Sequence, residues 1–527
     1  MKFKKYILFV AAIALSMTAC DTDDLKIEQT GVLTTDEYTT ADDDGVDAFI
    51  AAVYAEIRGD AFNSMMGYSP SCWGYMNAYL NQMAKDTSDE FDYTQSAEGS
   101  TYSGIWSYCY TIIYWCNMII ENLPNNTTAS ADNIALVTAE ARTIRAIFMS
   151  YLVQLYGTPP IADHIMDGTE GNTPAEETWA WIESELTEAA EDLPSKSGLG
   201  GQSAIGGRLT KEAAYAYLGR AQLWQGNYSD AATTLYNKVI STGKYALNDN
   251  WSDLNLSTTS DFTDENIWEF DFNEDTSSST GQGGCFDLIC FAPPVTYWYY
   301  TYASLYMAYG IGACPNQDYI DLITAHDGID SDRYDAQILN ILTAVYMGGV
   351  TNPTSECMGY FSKRNLCLAE DLTGTLPYWY SLKNVVYMRY AEVLLNYAEA
   401  VCQGGTSGSS LSGLEALNLV RSRAGLSDAP SLSMDNETYG IKAERRIELY
   451  CEGQRFIDLV RWGDAASELA DCGLYTYTTV LSDDYSSFSV TTTNTSGTGF
   501  KSGKNELFPI PQSDLNQNSN LTQNTGW

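Results

Sequence analysis

The chain has 527 residues, 45% of them hydrophobic and 18% charged, a globular composition with enough apolar surface for several cores. Its 28 Lys and Arg stand against 68 Asp and Glu, a net charge of −40, which excludes nucleic acid as a partner because phosphate backbones are held by cationic surfaces. Only two histidines occur, His164 and His326, and there is no HExxH, GxSxG, P-loop or GxGxxG pattern, so zinc, serine-hydrolase and nucleotide chemistries lack their usual residues.

At the N-terminus, Lys2, Lys4 and Lys5 precede an apolar run from Tyr6 to Leu15, the layout of a secretory signal rather than a spanning helix. Met17-Thr18-Ala19-Cys20 resembles a bacterial lipobox with Met where Leu is usual, which makes residues 1–19 a removable signal and Cys20 the lipidated first residue. Residues 20–40 are polar and rich in Thr and Asp, a tether, and residues 41–527 form the body. Eleven cysteines follow Cys20, an odd number without a CxxC pair, so at least one stays unpaired within a monomer. Cys109 and Cys116 sit seven apart on one apolar helical face as core thiols, whereas Cys285 with Cys290, or Cys357 with Cys367, have the spacing to close loops.

Helices are predicted from Val46 to Arg58, Trp106 to Leu123, Thr138 to Tyr156 and Trp179 to Leu193, the third stopped by Gly157-Thr158-Pro159-Pro160. Between the first two, Phe62 to Tyr79 reads as a loop-rich surface bearing Tyr68, Trp73, Tyr75 and Tyr79, followed by a helix with Leu80, Met83 and Ala84. Glu212 to Ile240 carries Tyr215, Leu218, Gly219, Gly226, Tyr228 and Ala231 at the offsets of a tetratricopeptide unit, with small residues where two helices meet closely. Asn266 to Phe272 alternates like a strand, and the long irregular region after it crowds Tyr297, Trp298, Tyr299, Tyr300 and Tyr302 together. Helical spacing returns over Pro315–Leu342, Val386–Ala400 and Leu414–Ala424, and from Leu474 the Thr- and Tyr-rich chain reads as a hairpin or surface loop. On the Val386–Ala400 helix, Arg389, Glu392, Asn396 and Glu399 share the face opposite Ala391, Leu394, Leu395 and Ala398.

Residues 444–463 concentrate Arg445, Arg446, Arg455 and Arg461 among Glu444, Glu448, Glu452 and Asp458, with two apolar stripes that lose phase across Gly453. Two helical segments with a break are predicted, their alternating charges paired as guanidinium–carboxylate forks. Glu448 and Glu452 as a catalytic acid–base pair would need a substrate between them rather than a neutralising arginine beside each, so the structural reading is preferred. Asp327-Gly328-Ile329-Asp330-Ser331-Asp332 has oxygen ligands suited to calcium without EF-hand spacing, and a turn with an Asp332–Arg333 ion pair competes with that reading. No other cofactor is expected. Aromatic rings flanked by amides and carboxylates in 73–95 and 286–302 match what a sugar needs, a flat face and hydrogen-bonding edges; Trp73, Tyr75, Asn77, Tyr297, Trp298 and Tyr300 are the candidate ligand-binding residues.

Several motifs in one order resemble the SusD/RagB family of surface lipoproteins: Cys20 in its lipobox, Thr87-Ser88-Asp89-Glu90, AEARTIRAIFMSYLVQLYGTPP (139–160), PNQDYIDLITAHDGIDSDR (315–333), RYAEVLLNYAEA (389–400), ERRIELYCEGQRFIDLVRW and FPIPQSDLNQNSNLTQN. The resemblance implies a mainly α fold, a tetratricopeptide-like α-solenoid packed against an irregular, loop-rich half with minor β. The repeats would lie chiefly within 100–245 and 385–465, and the loop-rich ligand-binding part chiefly within 60–95 and 266–380. It further implies a non-enzymatic protein, lipid-anchored on the outer membrane and facing the cell exterior. Such a protein binds an oligosaccharide or polysaccharide and passes it to a SusC-like TonB-dependent transporter. A peptide ligand within the same family and a surface glycan-cleaving hydrolase are the alternatives.

Overall fold

Apolar residues at three-and-four spacing fold, in chain order, into helices that each pack on the next. The computed structural model describes residues 35–58, 72–200, 207–255, 257–270, 305–306, 314–346, 354–355, 357–365, 367–368 and 383–527. Its first seven long helices are α1 (Asp43–Arg58), α2 (Cys72–Met83), α3 (Ser100–Asn122), α4 (Ala131–Tyr156), α5 (Ala175–Asp192), α6 (Lys211–Trp224) and α7 (Tyr228–Lys238). From α3 to α7 every helix contacts its successor. Ser130 and Thr210 cap α4 and α6, their hydroxyls accepting the Asn133 and Ala213 N–H groups left without intrahelical partners. Gly157, with φ of 75°, ends α4 where the sequence places a stop.

The closest helix approach in the predicted repeat involves Gly219, where a Cβ would fall onto Cγ and Cδ2 of Leu235 on α7. Cys109 and Cys116 are both fully buried on α3, as their spacing predicts. A second helical group, α9 (Tyr390–Cys402), α10 (Gly413–Arg423), α11 (Ile441–Glu448) and α12 (Gln454–Trp462), joins the first where α9 packs on α7; α8 (Gln317–His326) lies before it in the chain. The result is a mainly helical body of tetratricopeptide-like pairs with minor strands. Among the described residues no helix is long and apolar enough to cross a membrane.

The strands tie distant chain segments together. β1 (Asn266–Phe270) pairs antiparallel with β4 (Val385–Arg389), Phe270 opposite Val385 and Asn266 opposite Arg389. β2 (Ile338–Asn340) pairs with β3 (Tyr360–Ser362), and β5 (Tyr475–Leu481) with β6 (Phe488–Asn494) forms the expected hairpin, to which Thr354–Ser355 adds a third strand. All five β1 residues are buried, so the exposed alternate face implied by its polar positions is instead covered.

Four boundaries differ from expectation. Residues 385–389 are strand rather than helix, because Val385, Val386 and Tyr387 suit a pleated surface and find a partner in β1; the helix begins only at Tyr390. Residues 338–340 interrupt the helical stretch 315–342 as a strand, again through long-range pairing. α2 starts at Cys72, which puts Trp73, Tyr75 and Asn77 on a helix rather than in a loop. Residues 35–40 of the expected tether form a short helix whose Tyr38 is buried against Phe49, ring centroids 4.2 Å apart.

Replacing Gly219 with Val would drive branched carbons into Leu235 at the α6–α7 contact. Gly219→Val is expected to lower stability by roughly 1–3 kcal/mol, read as a lower urea midpoint with an unchanged slope.

Candidate functional site

Residues 444–463 prove to be a charged core. α11 and α12 flank a break at Gly453, whose φ of 71° suits glycine. Glu448, fully buried, accepts hydrogen bonds from Arg333 (3.0 Å), Arg389 (3.0 Å), Arg423 and the Trp251 indole (3.1 Å). Arg389, at the end of β4, also reaches Glu265 at 2.6 Å and Glu452 at 2.7 Å; Arg333 reaches Glu444 at 2.6 Å and Asp327 at 2.7 Å. Arg421 closes the network on Glu444 at 3.0 Å, and Arg364 on Glu452 at 3.1 Å.

Burial alone would push the Glu448 carboxyl upward, but the Arg423, Arg389 and Arg333 guanidiniums outweigh it and hold the group down to about 2. A general acid or base needs a titratable, reachable proton, and Glu448 has neither. Pairing along one helix face holds only for Asp458 with Arg461. Glu452 precedes α12 and binds Arg389 and Arg364, while Arg455 pairs with Glu468. The polar face of α9 is likewise interior: Glu392, Asn396 and Glu399 are buried, with Glu399 held by Arg461 and the Trp462 indole.

The expected Asp332–Arg333 pair is replaced by Arg333–Asp327, and His326 contributes a further 2.6 Å contact to the same carboxylate. Asp327 is therefore already neutralised. Ser331 caps the following helical turn. Among the described residues there is no group of three or more His, Cys, Asp or Glu side chains arranged to hold a metal ion.

Residues 86–88 of the first aromatic-rich stretch meet residues 314–316. Ser88 N–H donates to the Cys314 carbonyl at 2.8 Å, Thr87 bridges Pro315, and Asn316 N–H donates to the Asp86 carbonyl at 3.1 Å. The chain leaving α2 and the chain leading into α8 are thereby stitched into one junction. Side chains reinforce it: Lys85 Nζ lies 3.0 Å from Asp318 and 2.8 Å from Asp471, and Glu90 accepts from Asn316 (2.7 Å), Gly473 N–H (2.8 Å) and the Tyr477 hydroxyl (3.0 Å). Lys85 and Glu90, absent from the candidate residues, hold this junction together; the Thr87–Glu90 motif was their sequence trace.

Of the candidates, Asn77 is buried, and its amide donates to the Cys451 carbonyl at 2.9 Å while its oxygen accepts from Asn81. It fixes α2 to the turn before Gly453 instead of facing an open site. Trp73 and Tyr75 are on the first turn of α2, and Tyr297, Trp298 and Tyr300 lie outside the described residues.

A separate open groove of about 460 Å³ runs along α3, lined by Tyr110, Tyr114, His164, Glu170, Asp514 and Leu521 among others. Tyr114 is exposed, while Trp106 donates its indole N–H to Asp514 and Tyr110 its hydroxyl to the Pro160 carbonyl. Its residues come from α3, the 160–170 loop and the C-terminal segment, distances in sequence that no local pattern reveals.

Two family models match the chain: "SusD family" over residues 349–527 and "Starch-binding associating with outer membrane" over residues 39–223. SusD-like protein P2 of Formosa agariphila is 24% identical, covering 99% of both chains. Among solved structures, a laminarin-binding SusD-like protein superposes with a TM-score of 0.68 at 23% identity, over 92% of this chain and 100% of its own. Surface glycan-binding protein A of Bacteroides thetaiotaomicron, solved with laminarihexaose, superposes with a TM-score of 0.68 at 21% identity, over 92% of this chain and 100% of its own. The chain belongs to the SusD/RagB family, and its mainly helical architecture is the SusD-like fold.

The charged core makes a pH prediction. A carboxyl held below its ordinary value stabilises the fold fully above that ordinary value, 4.5 for Glu448, and loses the contribution as pH falls toward about 2. Stability is expected to drop across that window, and Glu448→Gln, which leaves three guanidiniums short of an anion, to cost about 3–5 kcal/mol at neutral pH. Urea unfolding at pH 7 and pH 3 checks both, with the variant showing the smaller acid loss.

Proposed function

We propose that this protein captures an oligosaccharide or polysaccharide at the cell surface and passes it to a SusC-like TonB-dependent transporter, held on the outer membrane through a lipid on Cys20. The observation that carries the reading is the junction of residues 86–90, within the first aromatic-rich stretch, with residues 314–318, which follow the second in sequence. Rings from the two stretches would stack on successive sugar faces, while the amides and carboxylates between them serve the hydroxyls. Membership of a family whose named relatives include laminarin- and glycan-binding proteins supports the ligand class.

Trp73, Tyr75, Tyr297, Trp298 and Tyr300 are the residues proposed to touch the ligand, with Asn77 holding α2 in place. The capture role is non-enzymatic. Glu448 and Glu452, the carboxylates weighed as a hydrolytic pair, are each bound by arginines. A peptide ligand is the alternative within the family, and the same experiment separates the two.

The chain from Asp21 onward, offered laminarihexaose, maltooligosaccharides and short peptides, is expected to bind a glycan without generating new reducing ends. Trp73→Ala and Trp298→Ala are each expected to weaken that binding about tenfold, the loss of one stacked ring, with thermal stability unchanged. Peptide binding in place of glycan binding would change the ligand class; released product would overturn the capture reading.

A further inference from the structure

Two thiols stand together at the roots of the irregular half. Cys314 and Cys357 are fully buried in one small cluster with Leu339, Ile341, Phe361 and Leu481, and the Cys314 side chain hydrogen-bonds the Cys357 sulfur. The flanking backbone is fixed on both sides. The Cys314 carbonyl accepts from Ser88 N–H at 2.8 Å, and the Cys357 carbonyl accepts the Thr479 hydroxyl at 2.7 Å. Gln317 N–H meets the Met358 sulfur at 3.2 Å, which holds the two chain segments side by side beyond the thiols themselves.

We infer that Cys314 and Cys357 form a disulfide when the chain folds in the presence of a disulfide oxidant. One thiolate attacks a sulfur of the oxidant's disulfide, forming a mixed disulfide and releasing one oxidant sulfur as a thiol. The second thiolate then displaces the other oxidant sulfur, so the two cysteines lose two protons and two electrons and the oxidant becomes two thiols. Because the finished cluster is closed to solvent, the exchange belongs to folding, before Phe361 and Leu481 cover the pair.

In the folded cluster burial raises the Cys357 thiol, but the Cys314 side chain and the Gly359 N–H, 3.3 Å from the sulfur, outweigh that and bring it below the ordinary thiol value. Two thiols elsewhere in the core are driven the opposite way: Cys116 is raised to about 12 by burial, and Cys472 is raised as well.

The bond would do more than add stability. Cys314 belongs to the junction with residues 86–90, and Cys357 stands just after the Thr354–Ser355 strand that pairs with β5. Linking them clamps that junction to the β5–β6 hairpin. The pairing differs from Cys357 with Cys367, one of the two pairs whose spacing could close a loop. The capture reading enters only in supplying the place where an exported chain meets an oxidant; the bond itself does not depend on it.

The test is to refold the purified chain from denaturant in oxidised glutathione, alkylate under denaturing conditions and map chymotryptic peptides. One linked peptide pair carrying Cys314 and Cys357 is expected, absent after reduction and absent in Cys314→Ser. Cys109 and Cys116 should be recovered alkylated. The oxidised chain should melt a few degrees above the reduced one, and Cys314→Ser should abolish that difference. Recovery of Cys314 and Cys357 as alkylated thiols, or a bridge from Cys357 to any other cysteine, would overturn the inference. The linked pair in a chain that binds no glycan would leave the inference standing and count against the capture reading alone.

Discussion

Buried charge is tolerable only when every charge is answered, and the interior of this protein depends on that condition. Glu265, Asp327, Glu444, Glu448 and Glu452 are interlocked with Arg333, Arg364, Arg389, Arg421 and Arg423 through contacts between about 2.6 and 3.1 Å. Glu265 lies just before β1, Asp327 and Arg333 follow α8, Arg364 follows β3, Arg389 ends β4, Arg421 and Arg423 end α10, Glu444 and Glu448 lie on α11, and Glu452 lies between α11 and α12. Removing any one leaves partners desolvated and uncompensated, so the network specifies how the irregular half sits on the helical pairs. Planar guanidinium forks suit this role, since one arginine can satisfy two or three carboxylates in fixed directions.

From that core the position of the irregular half follows. α11 and α12 present Cys451 and Gly453 to Asn77, which seats α2; Arg446 binds Asp86 at 2.9 Å, and Tyr450 stacks on Tyr319 at 3.9 Å between ring centroids. The same segment therefore positions both sides of the junction at 86–90 and 314–318. A Cβ at Gly453 would collide with the Asn77 side chain, which gives that glycine a packing reason as well as a backbone one.

Local order was legible and long-range order was not. The three-and-four spacing that located α3, α4, α5, α6 and α7, and the phase slip at Gly453, are properties of neighbouring residues. Gly219 could be read as a close helix approach because a small residue at a repeat offset has few other uses. β4 escaped because its pairing partner lies more than a hundred residues earlier, and its Val and Tyr residues also fit a helical stripe. The partners of Arg333 and Arg389 were equally hidden: Arg333 meets Glu444 111 residues away, and no spacing rule selects that carboxylate among so many. At the site, composition pointed to aromatic stretches and the Thr87–Glu90 motif was visible. That Asn77 faces inward, and that Lys85 and Glu90 hold the junction, follow only from tertiary contacts. The α3 groove is assembled from three separated segments and had no sequence signature.

Whether the two aromatic-rich stretches carry the proposed ligand is tested most directly by the distribution of ligand-induced protection. Hydrogen–deuterium exchange of the whole mature chain, with and without saturating laminarihexaose or whichever glycan binds, reads that distribution peptide by peptide. Protection concentrated in peptides spanning 73–95 and 286–318, with α4 to α7 unchanged, is the predicted result. Protection confined to the α3 groove around Tyr114 and Glu170, or spread along the helical pairs, would contradict it.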